Sequence, residues 1–243
     1  MRILLSNDDG YFAPGLAALH QALSAFADLT VVAPERDKSG ASNSLTLDRP
    51  LSLRRAQNGF YFVTGTPTDC VHMAVTGMLD FTPDMVVSGI NYGENAGGSV
   101  TASGTVGAAL EAAGLGVPAL AASRQVEIRH HLKYGRLDWA AAKHFTRYFA
   151  ARLLGRPFPD GVEALNLNVP ASAKRATPWR VTRVSRQSYF AFEIPKPSLK
   201  SRLGDGRVRV KIARDSLEKD SDIYALVCDG VVSVTPLPSD ITA

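Results

Sequence analysis

The chain has 243 residues, 45% apolar and 21% charged, which suits one large folded domain, or one domain with an appended subdomain. No apolar run approaches the ~20 residues of a membrane span, and no basic region followed by a long apolar one opens the chain, so neither a membrane anchor nor a secretory leader is expected. The net charge of +4 is unevenly held: residues 1–125 carry 7 Lys/Arg against 11 Asp/Glu (−4), and residues 126–243 carry 20 against 12 (+8). A basic half can attract an anionic substrate or nucleic acid, but zinc-finger spacing and basic–aromatic RNA-binding motifs are both missing. Nucleic acid is therefore not expected as a partner.

In chain order, RILLS is a short apolar strand that ends at Asn7, Asp8, Asp9 and Gly10. PGLAALHQALSAF opens on Pro-Gly and places Leu16, Leu19, Leu23 and Phe26 at helical spacing. LTVVAP predicts a second buried strand, followed by the loop ERDKSGASNS, and GFYFVTG a third strand. TPTDCVHMAVTGML predicts a helix with Thr66 as N-cap, Pro67 at its first position and Asp69 completing a capping box. DMVVSGI is another buried strand, ending in NYGENAGGSVTASG; a helix TVGAALEAAG and a strand PALAAS follow. Short, nearly continuous apolar strands alternating with helices predict a Rossmann-like α/β fold, a mostly parallel sheet with helices on both faces.

The second half reads differently. LDWAAAKHFTRYFAARLL predicts an amphipathic helix and EALNLNVP a strand. In RVRVKIA, Arg207, Arg209 and Lys211 alternate with Val208, Val210 and Ile212, the pattern of a half-exposed antiparallel strand or hairpin arm. Phe190 to Asp205, with Pro195, Pro197 and Gly204, predicts an extended loop. The expected division is a core over residues 1–125 carrying the chemical loops. Residues 126–243 would complete that core and carry an oligomerisation arm at about 180–215, making a homodimer or homotetramer the expected assembly. Cys70 and Cys228 both lie in apolar segments and are expected to be buried thiols, which favours the cytoplasm. His20, His72 and His144 fall in helical patterns and are expected to be structural. Adjacent His130 and His131 would point about 100° apart on a helix and so would not share a metal.

In an open α/β sheet, ligands bind outside the carboxyl ends of the strands. Three loops fall there. One brings Asn7, Asp8, Asp9 and Gly10; one brings Ser39, Gly40, Ser42, Asn43 and Ser44; one brings Asn91 to Asn95 and a Gly/Ser/Thr run. Their donors are oxygens, the set that suits a hard divalent cation such as Mg²⁺, Mn²⁺ or Ca²⁺. A cation would also offset the repulsion between Asp8 and Asp9; the competing reading is a plain Asn-Asp-Asp-Gly turn. Ser103, Gly104 and Thr105 stand where a helix begins, either as an ordinary N-cap or as a phosphate site of N–H groups and hydroxyls.

ILLSNDDGYFAPG, VVAPERDKSGASNSLT, GTPTDCV, PDMVVSGINYGENAG and SGTVGAA, in this order, resemble the signature segments of the SurE family, the survival protein E nucleotidases. The resemblance extends to VSVTPL and so covers nearly the whole chain. It implies a metal-dependent phosphomonoesterase acting on nucleoside monophosphates, a 5′-nucleotidase with a subunit-exchanging C-terminal portion. Its implied ligands to one divalent cation per subunit, Mg²⁺ or Mn²⁺, are Asp8, Asp9, Ser39 and Asn91. Its implied phosphate pocket is Ser103, Gly104 and Thr105, with Asn91 beside it. Relatives often carry an aromatic residue just before Ser-Gly-Thr, where this chain has Ala102, so the pocket wall is expected to differ.

The expected mechanism is metal-assisted hydrolysis, with Asp8 or Asp9 orienting the attacking water and the helix start holding phosphate oxygens. Rival hydrolase patterns fit poorly. Asp8 and Asp9 are adjacent rather than Asp-x-Asp; Gly-x-Ser-x-Gly does not occur; Gly-x-Gly-x-x-Gly does not follow the first strand. The competing class is a non-catalytic nucleotide- or phosphate-binding protein using the same pocket.

Overall fold

A computed structural model of the chain describes residues 1–127, 135–156, 158–195, 197–202 and 206–238. His130 and His131 lie outside the described residues. Nine strands form one mixed sheet in the order β3-β4-β2-β1-β5-β6-β7-β11-β8. Inside the sheet, β1 (Arg2–Ser6) is flanked by β2 (Asp28–Pro34) and β5 (Met85–Tyr92), all parallel. β6 (Ala119–Arg124) and β7 (Ala164–Val169) continue the parallel array. Antiparallel pairings come near the edges, where β11 (Val232–Leu237) returns against β7 and β3 (Leu53–Arg55) against β4 (Tyr61–Val63). β8 (Trp179–Val181) closes one edge, parallel to β11.

The period-two alternation of β1 sorts its side chains onto two cores. Ile3 and Leu5 pack with Leu16, Leu19 and Leu23 of α1 (Pro14–Leu23) and Phe145 and Phe149 of α4 (Ala140–Leu153). Leu4 packs on the other face with Val71 of α2 (Pro67–Met73) and Val106 and Ala109 of α3 (Gly104–Gly114). Fully burying each such aliphatic side chain contributes about 1.5–3 kcal/mol, so the central strand is pinned from both sides. That fixes where β1 stops, and therefore where Asn7 to Gly10 emerge.

The capping box at Thr66 forms as expected: Thr66 Oγ1 accepts the Asp69 N–H at 3.0 Å and Asp69 Oδ2 accepts the Thr66 N–H at 2.7 Å. The helix is shorter than its apolar pattern, because a π-helical turn over Ala74–Met78 replaces its second half. β3 left no pattern to read, being three residues long and exposed throughout. Part of the expected 190–205 loop is a strand: β9 (Phe190–Glu193) pairs antiparallel with β10 (Arg207–Val210), and Arg209 pairs with Glu193 across them. Cys70 is buried, but Cys228 is exposed. Its apolar run is a short π-helical turn, Ala225–Asp229, whose last residues face solvent, so one buried thiol replaces the expected two. Among the described residues, no helix is long and apolar enough to cross a membrane.

Candidate active site

The three oxygen-rich loops meet at the carboxyl ends of β1, β2 and β5. Asp8, Ser39, Asn91 and Ser103 line one cleft of about 370 Å³. The loops are tied to one another by backbone: the Lys38 N–H donates to Asp8 O at 2.7 Å, and the Ser42 N–H to Ala102 O at 3.2 Å. The Asn7 side-chain N–H donates to Gly10 O at 3.0 Å and closes the first turn. The turn reading of Asn-Asp-Asp-Gly is thus correct for the backbone, and it presents Asp8 to the cleft.

Each oxygen-bearing side chain of the expected set is held by a neighbour. Asp8 is 4% exposed, and its Oδ1 accepts the Thr105 hydroxyl at 2.5 Å. Asp9 Oδ2 accepts the Tyr92 N–H at 3.1 Å, joining the first loop to the end of β5. The Ser39 hydroxyl and N–H both donate to Asp37 Oδ1 at 2.7 Å, so the hydroxyl oxygen keeps its lone pairs for a ligand. The Asn91 amide nitrogen donates to Gly93 O at 2.7 Å, which leaves Oδ1 as its acceptor end. Asp9, Gly104 and Thr105 are not among the residues that line the cleft.

Burial pushes the Asp8 carboxyl above the usual range, against the pull of the Thr105 hydroxyl; the charge of Asp37 pushes the same way. Next to it in the chain, Asn7 Oδ1 is buried with no hydrogen-bond partner. A crowded, oxygen-only, anionic corner with oriented lone pairs fits a hard divalent cation. Among the described residues, no group of three or more His, Cys, Asp or Glu side chains gathers as a metal site, in this corner or elsewhere.

α3 supplies the remaining wall. Ser103 caps it, its Oγ accepting the Val106 N–H at 3.1 Å. Gly104 is required by packing: a Cβ there would sit 2.9 Å from Asp8 Cβ and 3.1 Å from Pro67 Cγ. Its missing side chain lets the helix start, with its positive dipole end, close on Asp8. Thr105 is fully buried, and its hydroxyl serves Asp8.

Several lining residues had no assigned role in the sequence. Asn95 is gripped by amides: its N–H donates to Asn168 Oδ1 at 2.8 Å, and its C=O accepts from Asn166 at 2.8 Å and Asn168 at 2.9 Å. Its own amide donates to Ser123 Oγ at 3.0 Å. Glu94 is 3% exposed, and burial pushes its carboxyl up, against hydrogen bonds from the Tyr189 hydroxyl and the Val126 N–H. Asn95 follows Asn91 in one loop and was visible there as another amide. Ser188 and Phe190, which close the cleft from the C-terminal half, carried no local signal because they arrive from about a hundred residues away.

Comparison with known proteins agrees with this geometry. A family model described as survival protein SurE matches residues 3–191. A protein named 5′-nucleotidase SurE from Laribacter hongkongensis is 49% identical over 247 residues, covering 100% of this chain and 94% of the relative. One of the same name from Chromobacterium violaceum is 45% identical over 247 residues, covering 100% and 95%. The crystal structure of the SurE protein from Aquifex aeolicus superposes with a TM-score of 0.82 at 34% identity, covering 100% of this chain and 95% of that one. The motifs, the sheet order and these matches lead to one assignment: the chain belongs to the survival protein SurE family.

Proposed function

We propose that the protein is a nucleotidase, a divalent-metal-dependent phosphomonoesterase that hydrolyses nucleoside 5′-monophosphates to nucleoside and phosphate. The observation that carries the reading is the meeting of Asp8, Ser39, Asn91 and Ser103 on one cleft, beside the start of α3. Asp8, Asp9, Ser39 and Asn91 would hold one Mg²⁺ or Mn²⁺. When bound, the cation supplies Lewis-acid polarisation of a phosphoryl oxygen and lowers the pKa of a water.

The chain's own residues do the rest. The positive dipole end of α3 and the Ser103 hydroxyl would receive phosphate oxygens, where negative charge is shared as the ester bond breaks. Thr105 holds the Asp8 carboxylate in place, and the Tyr92 N–H holds Asp9. Either carboxylate can orient the attacking water. The β9–β10 hairpin, with Leu199 fully exposed in the segment that joins its strands, is the arm through which copies of the chain would assemble into a homodimer or homotetramer.

The test is phosphate release from adenosine 5′-monophosphate with added Mg²⁺ or Mn²⁺, for the parent protein and Asp9→Asn. Turnover that the variant loses by about two orders of magnitude supports the reading. Saturable binding without phosphate release would make the protein a nucleotide binder instead.

A further inference from the structure

The cleft is larger than a phosphate group needs, since sites for whole small ligands begin at about 300 Å³. Its floor is polar, from Asp8, Asn91 and Ser103. From the other half of the chain come Ser188 and Phe190, the latter the one large apolar side chain of the lining besides Tyr92. Tyr92 also borders the cleft, but it is 8% exposed, its hydroxyl accepts the Gly135 N–H at 2.7 Å, and its ring faces Trp139 at 6.3 Å. Ala102 adds a single methyl to the wall.

Phe190 is placed by a built clamp. Gly97 and Ser188 form an antiparallel bridge, and the Gly98 N–H donates to Gln187 O at 3.0 Å. Gly97, at φ +54°, is required there: a Cβ would stand 2.4 Å from Gln187 O. Tyr189 points into a buried cluster with Ala96, Ile223 and Leu226, and its hydroxyl is held by Gln125 at 3.1 Å and by the Glu94 carboxylate. Phe190 packs against the edge of the same cluster and, with Ser188, lines the cleft. The Tyr189 and Phe190 rings meet edge-on at 89° with centroids 4.7 Å apart, which fixes the plane of the second ring.

We infer that Phe190 is a specificity-determining residue that stacks against the base of the bound nucleotide, while the phosphate lies over the polar floor. The inference rests on the nucleotidase reading and deepens it. Stacking on a ring face reads area rather than base edges, so purine monophosphates bind more tightly than pyrimidine ones, with adenine and guanine close together.

The experiment measures binding by calorimetry and phosphate release by steady-state kinetics, with Mg²⁺ present. The ligands are adenosine 5′-monophosphate, uridine 5′-monophosphate and ribose 5-phosphate, which keeps the sugar and phosphate but has no base. Phe190→Ala is expected to weaken adenosine 5′-monophosphate about tenfold in Kd and KM and to leave ribose 5-phosphate unchanged. Phe190→Trp restores the preference. Phe190→Leu, which keeps apolar packing against Tyr189 and so guards against misfolding of the alanine variant, loses it. Equal weakening of both ligands, or of neither, overturns the inference. A protein that binds adenosine 5′-monophosphate through Phe190 but releases no phosphate overturns the nucleotidase reading while upholding the stacking.

Discussion

Asp8 and Asp222 are both buried carboxylates, 4% and 0% exposed, and burial pushes both above the usual carboxylate range. They are held in different ways. Asp222, at the start of α5 (Asp222–Tyr224), accepts three close backbone bonds: from Gly97 at 2.9 Å, Ser185 at 2.9 Å and Ile223 at 2.7 Å. It joins three segments of the chain and has little acceptor capacity left. Asp8 accepts one close hydroxyl, from Thr105, with weaker help from backbone N–H groups, and it lies on a cleft beside another carboxylate. A carboxylate whose lone pairs are filled by the chain is a structural joint. One kept partly unfilled at a cleft is a site under strain, and the strain is what a ligand relieves.

The comparison can be broken by substitution. Asp8→Asn should lower phosphate release on the order of 10²–10³-fold, yet leave stability without metal equal or higher, because the burial penalty on the charge is gone. In the parent protein, Mg²⁺ or Mn²⁺ at a hundred times its Kd should add about 2.7 kcal/mol of stability. A thermal-shift series should show that rise, and show it missing in Asp8→Asn. A variant that is both unstable and active would sink the distinction.

Asp222→Ala should do the reverse. It strands the N–H groups of Gly97, Ser185 and Ile223, costing about 3 kcal/mol and lowering Tm by roughly 6–12 °C. Metal-induced stabilisation should survive in the protein that remains folded. Calorimetry with and without Mn²⁺ checks both halves of that expectation.

A smaller effect is expected at Gly104. Gly104→Ala removes no interaction and suits a helix, but its methyl would crowd Asp8. The expected result is a roughly ten- to hundredfold loss in kcat, measured beside a fall in Tm of roughly 2–4 °C, since overpacking the buried corner costs about 1 kcal/mol while displacing the carboxylate and helix start costs rate.

The smallest effect sharpens the rule with a third carboxylate. Burial raises Asp69, but the Thr46 hydroxyl and N–H and the Thr66 N–H outweigh it and hold the group below the usual range. The sign follows: its contribution is present above the unfolded-state pKa of about 4 and is lost as pH falls through the lower folded-state value. Asp69→Asn should therefore cost about 1 kcal/mol in urea unfolding at pH 7, and the gap to the parent protein should narrow at pH 3.

The sequence by itself determined the local elements and the chemistry of the first half. The alternation and apolar runs of β1, β2 and β5 required a sheet covered on both faces, and with it loops gathered at one edge. Thr66 and Asp69 announced a helix start, because capping is settled within four residues. Asp8, Asp9, Ser39 and Asn91 were legible as oxygen donors in the loops after strands and Ser103 as a helix start, since position along the chain and side-chain type both show in one dimension.

Only the tertiary structure decided which hydroxyl serves which partner. Thr105 looks like a phosphate donor in sequence; in the fold it is fully buried and donates to Asp8. The antiparallel return of β11 against β7 and the pairing of β9 with β10 were decided there too. So were the amide grip of Asn166 and Asn168 on Asn95 and the arrival of Phe190 at the cleft that Ala102 also lines. The physical reason is range. Propensity and periodicity act over a few residues, whereas most of these contacts join distant segments, as Thr105 and Asp8 meet across 97 positions, and their energies exist only once the sheet has brought those segments together.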